Sequence, residues 1–280
     1  MELYEKEDVS LYMADLNLIR HYKNNLQEVS LYRHPKLGTV LLINGEIQHV
    51  SKWQCYYHES VVHLAAAFIP VIKRALIFGG GDLFAAYEIL KYPTIEELII
   101  CEWDSDIVDL MKSSYVHAKI VCNNPKVRFM YCDAKHYIST TTSEAFDLIV
   151  CDCFNLIEVF PSFDIYTHLN GFLTPDGVCS DLIYRHVFDE YCLTSSLDLL
   201  KHQKNKLFSL VTVPEYPGVL HLLSIWGKNK YISQTAKEVV NLVQKSISPE
   251  SDFFELFNPH YLSFYLYLPT YLKHILKVYK

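Results

Sequence analysis

From Arg74 onward the chain alternates short, unbroken apolar runs with longer stretches of helical spacing. Ala75 to Phe78, Glu97 to Cys101, Val127 to Tyr131, Phe146 to Cys151 and Gly177 to Ile183 each predict a buried strand. The stretch ending at Lys91 and the one from Asp104 to Met111 predict helices between them. Continuous apolar strands separated by helices imply a parallel sheet covered on both faces. Leu207 to Pro214 and Leu220 to Trp226 extend the pattern as an antiparallel edge. Upstream the texture differs. Glu28 to Tyr32, Gly38 to Ile43 and Glu46 to Val50 predict short strands, turned at His34-Pro35 and at Asn44-Gly45, and the latter is a strong hairpin signal. Residues 56 to 69 have helical spacing. The expected organisation is a small N-terminal β domain over residues 1–55 and an α/β domain over 56–280 that ends in an aromatic helical segment.

Composition narrows the function classes. Hydrophobic residues make up 50% of the 280 and charged residues 20%, so the chain can bury a large core. A formal net charge of −7 argues against non-specific nucleic-acid binding, which needs a basic field. The start, Met1 to Asp8, has no basic region leading into an apolar one, and the apolar stretch Val61 to Ile72 is interrupted by His63 and Pro70. A cytoplasmic protein without membrane or nucleic-acid partners is expected. The eight cysteines include no C-x-x-C pair and read as reduced and mostly buried. Cys151 and Cys153 alone are too sparse for a metal site, and no metal is expected. The aromatic stretch Phe253 to Tyr279 predicts a helix or two packed on the core or on a second subunit.

In an open α/β sheet, ligands bind at the carboxyl ends of the strands. Four successive strand ends here carry Gly79-Gly80-Gly81-Asp82, Glu102, Asp133-Ala134 and Asp152. The glycines allow a tight turn and close approach of a ligand to the backbone. Glu102, some twenty residues further on, can accept both hydroxyls of a ribose. Helix capping is the competing explanation for each aspartate. Leu83 and Phe84 break the G-x-G-x-x-G pattern, so no diphosphate cradle is formed. An acidic cleft repels a diphosphate and suits a cationic sulfonium that carries an ammonium group.

These residues, in this order, resemble the spermidine synthase family of aminopropyltransferases, in which a small β domain precedes a Rossmann-like, methyltransferase-type sheet. The resemblance covers roughly residues 25 to 230. It rests on Gln27, Ile43 to Gln48, Tyr57-His58-Glu59, Gly79 to Asp82, Glu102, Asp133-Ala134, Asp152 and Val213 to Pro217. It implies S-adenosylmethionine or its decarboxylated form as co-substrate, and transfer of the sulfonium's aminopropyl-type arm with release of methylthioadenosine. Gln27, Gln48 and the glycine turn then line the donor pocket, Glu102 holds the ribose, and Asp133 with Ala134 meets the adenine edge. Asp82 and Asp152 hold the arm's ammonium and, with Tyr57, form the catalytic set. Tyr57, His58, Asn155 and Tyr216 face the acceptor. The family tends to form dimers or tetramers, and a homodimer is expected.

The acceptor half departs from the family pattern. The family's loop runs Asp-Ser-Ser/Thr-Asp-Pro, whereas this chain has Asp152-Cys153-Phe154-Asn155-Leu156. Loss of the second aspartate removes a counter-charge for a diamine and favours a neutral or anionic acceptor. Arg185, His186 and His221 offer donors to an anion if they face the cleft. One branch fits: the aminopropyltransferase-like enzymes of microcin C maturation, antibiotic biosynthesis enzymes that decorate a peptide-nucleotide. That resemblance implies transfer of a 3-amino-3-carboxypropyl group to a phosphate-bearing peptide-nucleotide, with a partner decarboxylase acting later. A polyamine aminopropyltransferase with an altered loop and a non-catalytic nucleoside-binding relative remain as alternatives.

Overall fold

The computed structural model describes residues 2–4, 10–142, 144–153, 165–184, 193–194, 197–198, 200–203, 205–216, 220–233 and 254–277. A short hairpin, β1 (Glu2–Tyr4) and β2 (Ser10–Tyr12), precedes a four-stranded antiparallel sheet. That sheet runs β3 (Asn17–Lys23), β4 (Glu28–His34), β5 (Gly38–Ile43) and β6 (Glu46–Val50) in order. Asn44 and Gly45 both adopt positive φ, 52° and 85°, the backbone that an Asn-Gly hairpin requires. Strand β3 is an addition to the sequence reading. Its mostly exposed residues carry no apolar run, and pairing with β4 rather than burial holds it.

Helix α1 (Gln54–Ala66) leads into the second sheet, whose strand order is β12-β13-β11-β10-β7-β8-β9. Here β7 is Arg74–Gly79, β8 Glu97–Glu102, β9 Val127–Tyr131, β10 Phe146–Asp152 and β11 Leu173–Tyr184. These five pair in parallel, while β12 (Asn205–Val211) and β13 (His221–Gly227) add the antiparallel edge. Between them lie α2 (Phe84–Leu90), α3 (Ser105–Ser114), α4 (Val116–Cys122), α5 (Ala134–Thr140) and α6 (Ile165–Phe172). The α/β class is as expected, with a Rossmann-like sheet behind a small β sheet.

Alternation along the strands splits the core in two. Ala75, Ile77, Leu98, Ile100, Leu148 and Val150 pack with α1, α2 and α3 on one face. Leu76, Phe78, Ile99, Ile149 and Cys179 pack with α6 on the other. The C-terminal helix Thr270–Lys277 closes this second face through Leu272 and Leu276, so that part of the aromatic segment packs on the core. The preceding segment is tied to α1 by one side chain. Glu59 is 1% exposed and accepts the backbone N–H groups of Glu255, Leu256 and Phe257 at 2.7, 2.8 and 2.7 Å. Three backbone donors satisfy a carboxylate that could not otherwise be buried there. The seven cysteines among the described residues are all free. No helix among these residues is long and apolar enough to cross a membrane.

Candidate active site

The strand order reverses between β7 and β10, and the crevice at this switch is where a sheet of this kind accepts a ligand. Gly79 makes the crevice possible. Its φ is 78°, and a Cβ there would lie 2.4 Å from the Asp152 carbonyl oxygen. Gly80 continues the turn at φ 73°, its N–H pointing to the same carbonyl at 3.3 Å. At Gly81 a Cβ would stand 2.9 Å from the Glu102 carboxylate, so the glycine keeps that carboxylate open to the turn. Leu83 adopts a left-handed backbone at φ 67° although it is fully buried. That conformation costs a side-chain-bearing residue about 1–2 kcal/mol.

Asp82 is surrounded by donors. Its Oδ1 accepts the Phe84 N–H at 3.1 Å, and its Oδ2 lies 3.2 Å from His58 Nε2 and 3.1 Å from His49 Nδ1. The His58 tautomer follows from its surroundings. Nδ1 meets the Gln54 carbonyl oxygen at 2.8 Å and must donate, while Nε2 faces a carboxylate and must also donate. His58 is therefore an imidazolium. Burial works against that charge, but the Asp82 carboxylate overcomes it and pushes the ring up to about 9. Burial likewise opposes the Asp82 charge, yet the His58 cation and the hydrogen bonds from both histidines hold it well below the usual carboxylate range.

Asp152, at the end of β10, has the opposite fate. Burial raises it first and the neighbouring Asp82 charge second, and the His58 cation and then the Tyr57 hydroxyl only partly offset them, leaving it at about 7. Burial and the Asp152 charge keep the Tyr57 phenol well above 10, so the hydroxyl remains the donor of that hydrogen bond. His58, Asp82 and Asp152 each place a ligand atom within 4.8 Å of the others, close enough to share one cation. A metal would have to strip the His58 proton, whereas an ammonium can seat at Asp152 without doing so.

The donor-side residues form a second tier. Burial pushes Glu102 up to about 7, and its Oε1 accepts the Asp104 N–H at 3.0 Å. Asp104 caps α3 and also accepts Gln27 Nε2 at 2.6 Å and the Tyr22 hydroxyl at 2.9 Å. Gln27 thus reaches the site, with its amide nitrogen braced on Asp104. Asp133 caps α5, taking the Lys135 and His136 N–H groups on Oδ1 at 2.8 and 3.2 Å, with Ala134 the first residue of that helix. The capping explanation applies to this aspartate. Tyr216 donates its hydroxyl to the Ile47 carbonyl at 2.5 Å, joining the loop after β12 to the hairpin. His221 is buried at the start of β13, packed against Tyr216. Asn155, Arg185 and His186 lie outside the described residues.

Gln48 is half-buried at an irregularity in the β5–β6 ladder, where Leu41 pairs with His49 but Leu42 with Ile47. This bulge upsets the simple alternation of β6, and His49 is the residue that meets Asp82. Sequence reasoning missed His49, Asp104 and Tyr115, whose hydroxyl lies 3.2 Å from His49 Nε2. The Asn44-Gly45 hairpin was the available signal for His49, but a bulge cannot be read from hydrophobic alternation.

Comparison with known proteins identifies the family. The spermine/spermidine synthase domain matches residues 54–238, and the chain belongs to that family. Putrescine N-methyltransferase 2 of Nicotiana tabacum is 30% identical over 209 residues, 71% of this chain and 58% of the relative. The chain thus spans little more than half of that protein. The polyamine aminopropyltransferase of Buchnera aphidicola is 26% identical over 270 residues, covering 94% of this chain and 93% of the relative. The crystal structure of spermidine synthase from Thermotoga maritima superposes with a TM-score of 0.84 at 23% identity, covering 99% of this chain and 94% of that one. A spermidine synthase in complex with the transition state analogue AdoDATO gives 0.83 at 21% identity, covering 97% and 92%.

Proposed function

We propose that this protein transfers an aminopropyl group from decarboxylated S-adenosylmethionine to an amine of the polyamine class, releasing methylthioadenosine. The observation that carries this reading is a pair of carboxyls at one crevice, Asp82 ringed by His58, His49 and the Phe84 N–H and Asp152 facing Tyr57, which holds the first ionised and raises the second to about 7. Environments that push two such groups apart define an anion and a base. The acceptor's nitrogen lone pair attacks the carbon beside the sulfonium, and the carbon–sulfur bond breaks with its electron pair passing to sulfur. The surplus proton on the new ammonium goes to Asp152. Tyr57 orients that carboxylate, and Asp82 supplies negative charge for the arm's ammonium. Holding the three reacting atoms in line is the larger service of the site. Glu102 holds the ribose, Gln27 and Gln48 line the donor pocket, Asp133 and Ala134 border the adenine, and His58 and Tyr216 wall the acceptor side.

Polyamine chemistry is supported by the acidic crevice and by the relatives. The reading with a phosphate-bearing peptide-nucleotide acceptor, and with S-adenosylmethionine as donor of an aminocarboxypropyl group, rests on Asn155. Mass spectrometry after incubation with each donor, with putrescine, spermidine or a peptidyl nucleotide, decides among them. Methylthioadenosine with mass gain on an amine is expected. Gain on the peptidyl nucleotide alone overturns the amine reading, and S-adenosylhomocysteine as product marks methyl transfer instead.

A further inference from the structure

A buried chain of polar groups runs from the N-terminal sheet into the active site, and one member has no role in the chemistry above. Thr39 on β5 meets the Tyr115 hydroxyl, and that hydroxyl lies 3.2 Å from His49 Nε2. His49 Nδ1 lies 3.1 Å from Asp82 Oδ2, and His58 closes the chain from the other side at 3.2 Å. His49 is 1% exposed, and its Nδ1 approaches Asp82 off the axis of a well-formed hydrogen bond, with no better partner among the described residues. A buried N–H whose acceptor lies off axis forgoes part of its hydrogen bond, and losing it altogether would cost about 1–3 kcal/mol, so a position that retains one calls for a reason. Packing alone does not supply it. The ring meets Phe84 and Tyr115 edge-on at 5.1 and 5.9 Å, contacts a phenyl ring would make equally well.

We propose that His49 is a positioning residue: with His58 it fixes Asp82 as a permanent carboxylate, so that Asp152 and not Asp82 takes the acceptor's proton. The two aspartates compete for one proton, and whichever is better supplied with donors stays ionised. Asp82 has three donors on its carboxylate, while Tyr57 is the donor that offsets the rise of Asp152. The other titratable groups around the pair are distributed as follows. Glu102 faces it from β8, Cys153 follows Asp152, His117 donates to the Asp82 carbonyl at 3.0 Å, and Glu215 approaches the histidines from the loop after β12. Among these neighbours, His49 is the one that offers Asp82 Oδ2 an N–H from the small sheet.

The inference rests on the transferase reading, and its test separates the two. His49→Phe and His49→Leu remove the donor, while His49→Asn keeps an amide N–H near the place of Nδ1. The last proton of the aspartate pair is followed by carboxyl carbon NMR in the protein alone, and by the acid limb of kcat/KM with donor and amine. Without the donor, Asp82 becomes a second seat for the pair's last proton, and the pair holds that proton more tightly because two sites now share it. Both the carboxyl titration and the acid limb then move up by about half a pH unit, roughly a threefold loss of kcat/KM below the limb. His49→Asn restores both, which lost packing alone does not produce. Either donorless variant suffices if the other fails to fold. An unmoved carboxyl titration, or His49→Asn behaving as His49→Phe does, overturns the proposal. A carboxyl titration that moves as expected, in a protein that releases no methylthioadenosine, overturns the transferase reading and leaves the His49 assignment standing.

Discussion

The carboxyl ends of β7 and β10 each present an aspartate to the same crevice, yet the two carboxyls are different chemical species. Asp82 sits among an imidazolium, a second histidine and a backbone N–H, and is held ionised. Asp152 also feels the His58 cation, but it has the Tyr57 hydroxyl as its donor and Asp82 as a like charge, and rises to about 7. Residue type and strand-end position are the same in both. The difference comes from which neighbours donate. A pair of carboxylates in a sequence therefore carries no acid or base assignment until their donors are known.

The most severe way to break the contrast is Asp152→Asn. Loss of a general base lowers turnover by about 10²- to 10⁴-fold, with melting behaviour unchanged, read as methylthioadenosine released per unit time. Wild-type rates from that variant remove Asp152 from the mechanism. Next comes Glu102→Gln, which takes away charge-assisted bonds to the donor and raises its KM about 10- to 100-fold while kcat changes little. Loss of kcat with unchanged KM moves Glu102 out of the donor site.

The pH dependence sharpens the comparison further. A proton acceptor must be ionised, so kcat/KM rises with pH through about 7, following Asp152. Tyr57 lowers Asp152, so Tyr57→Phe moves that limb up, by about half a unit to one unit. A limb that moves down places the titration on another group. The smallest expected effect is none: treatment with a strong chelator leaves turnover intact, since the proposed reaction routes no step through a metal at His58, Asp82 and Asp152. Loss of activity that divalent metal restores would assign a metal to that cluster.

The parallel sheet, its antiparallel edge and the Asn44-Gly45 hairpin were legible because apolar runs and turn residues are local signals. So were the strand ends, and with them Asp82, Glu102 and Asp152. Strand β3 was not, since its residues are mostly exposed and its pairing is not local. His49 was hidden by a bulge. Asp133 shows the opposite difficulty, because the same residue at the same position caps a helix. The motif Tyr57-His58-Glu59 divides in the structure. Tyr57 and His58 turn to the aspartates, and Glu59 turns away to hold Glu255, Leu256 and Phe257. No sequence pattern links residues almost two hundred positions apart.

The Glu59 contact has a consequence for anyone who trims or fuses this protein. Cutting the chain ahead of Glu255 would leave a buried carboxylate with no backbone N–H from that segment, on the helix that carries Tyr57 and His58. Such a deletion would be felt at the crevice through Glu59, whose carboxylate the removed segment satisfies. A tag is best appended after Lys280, which leaves the helix closing the sheet untouched.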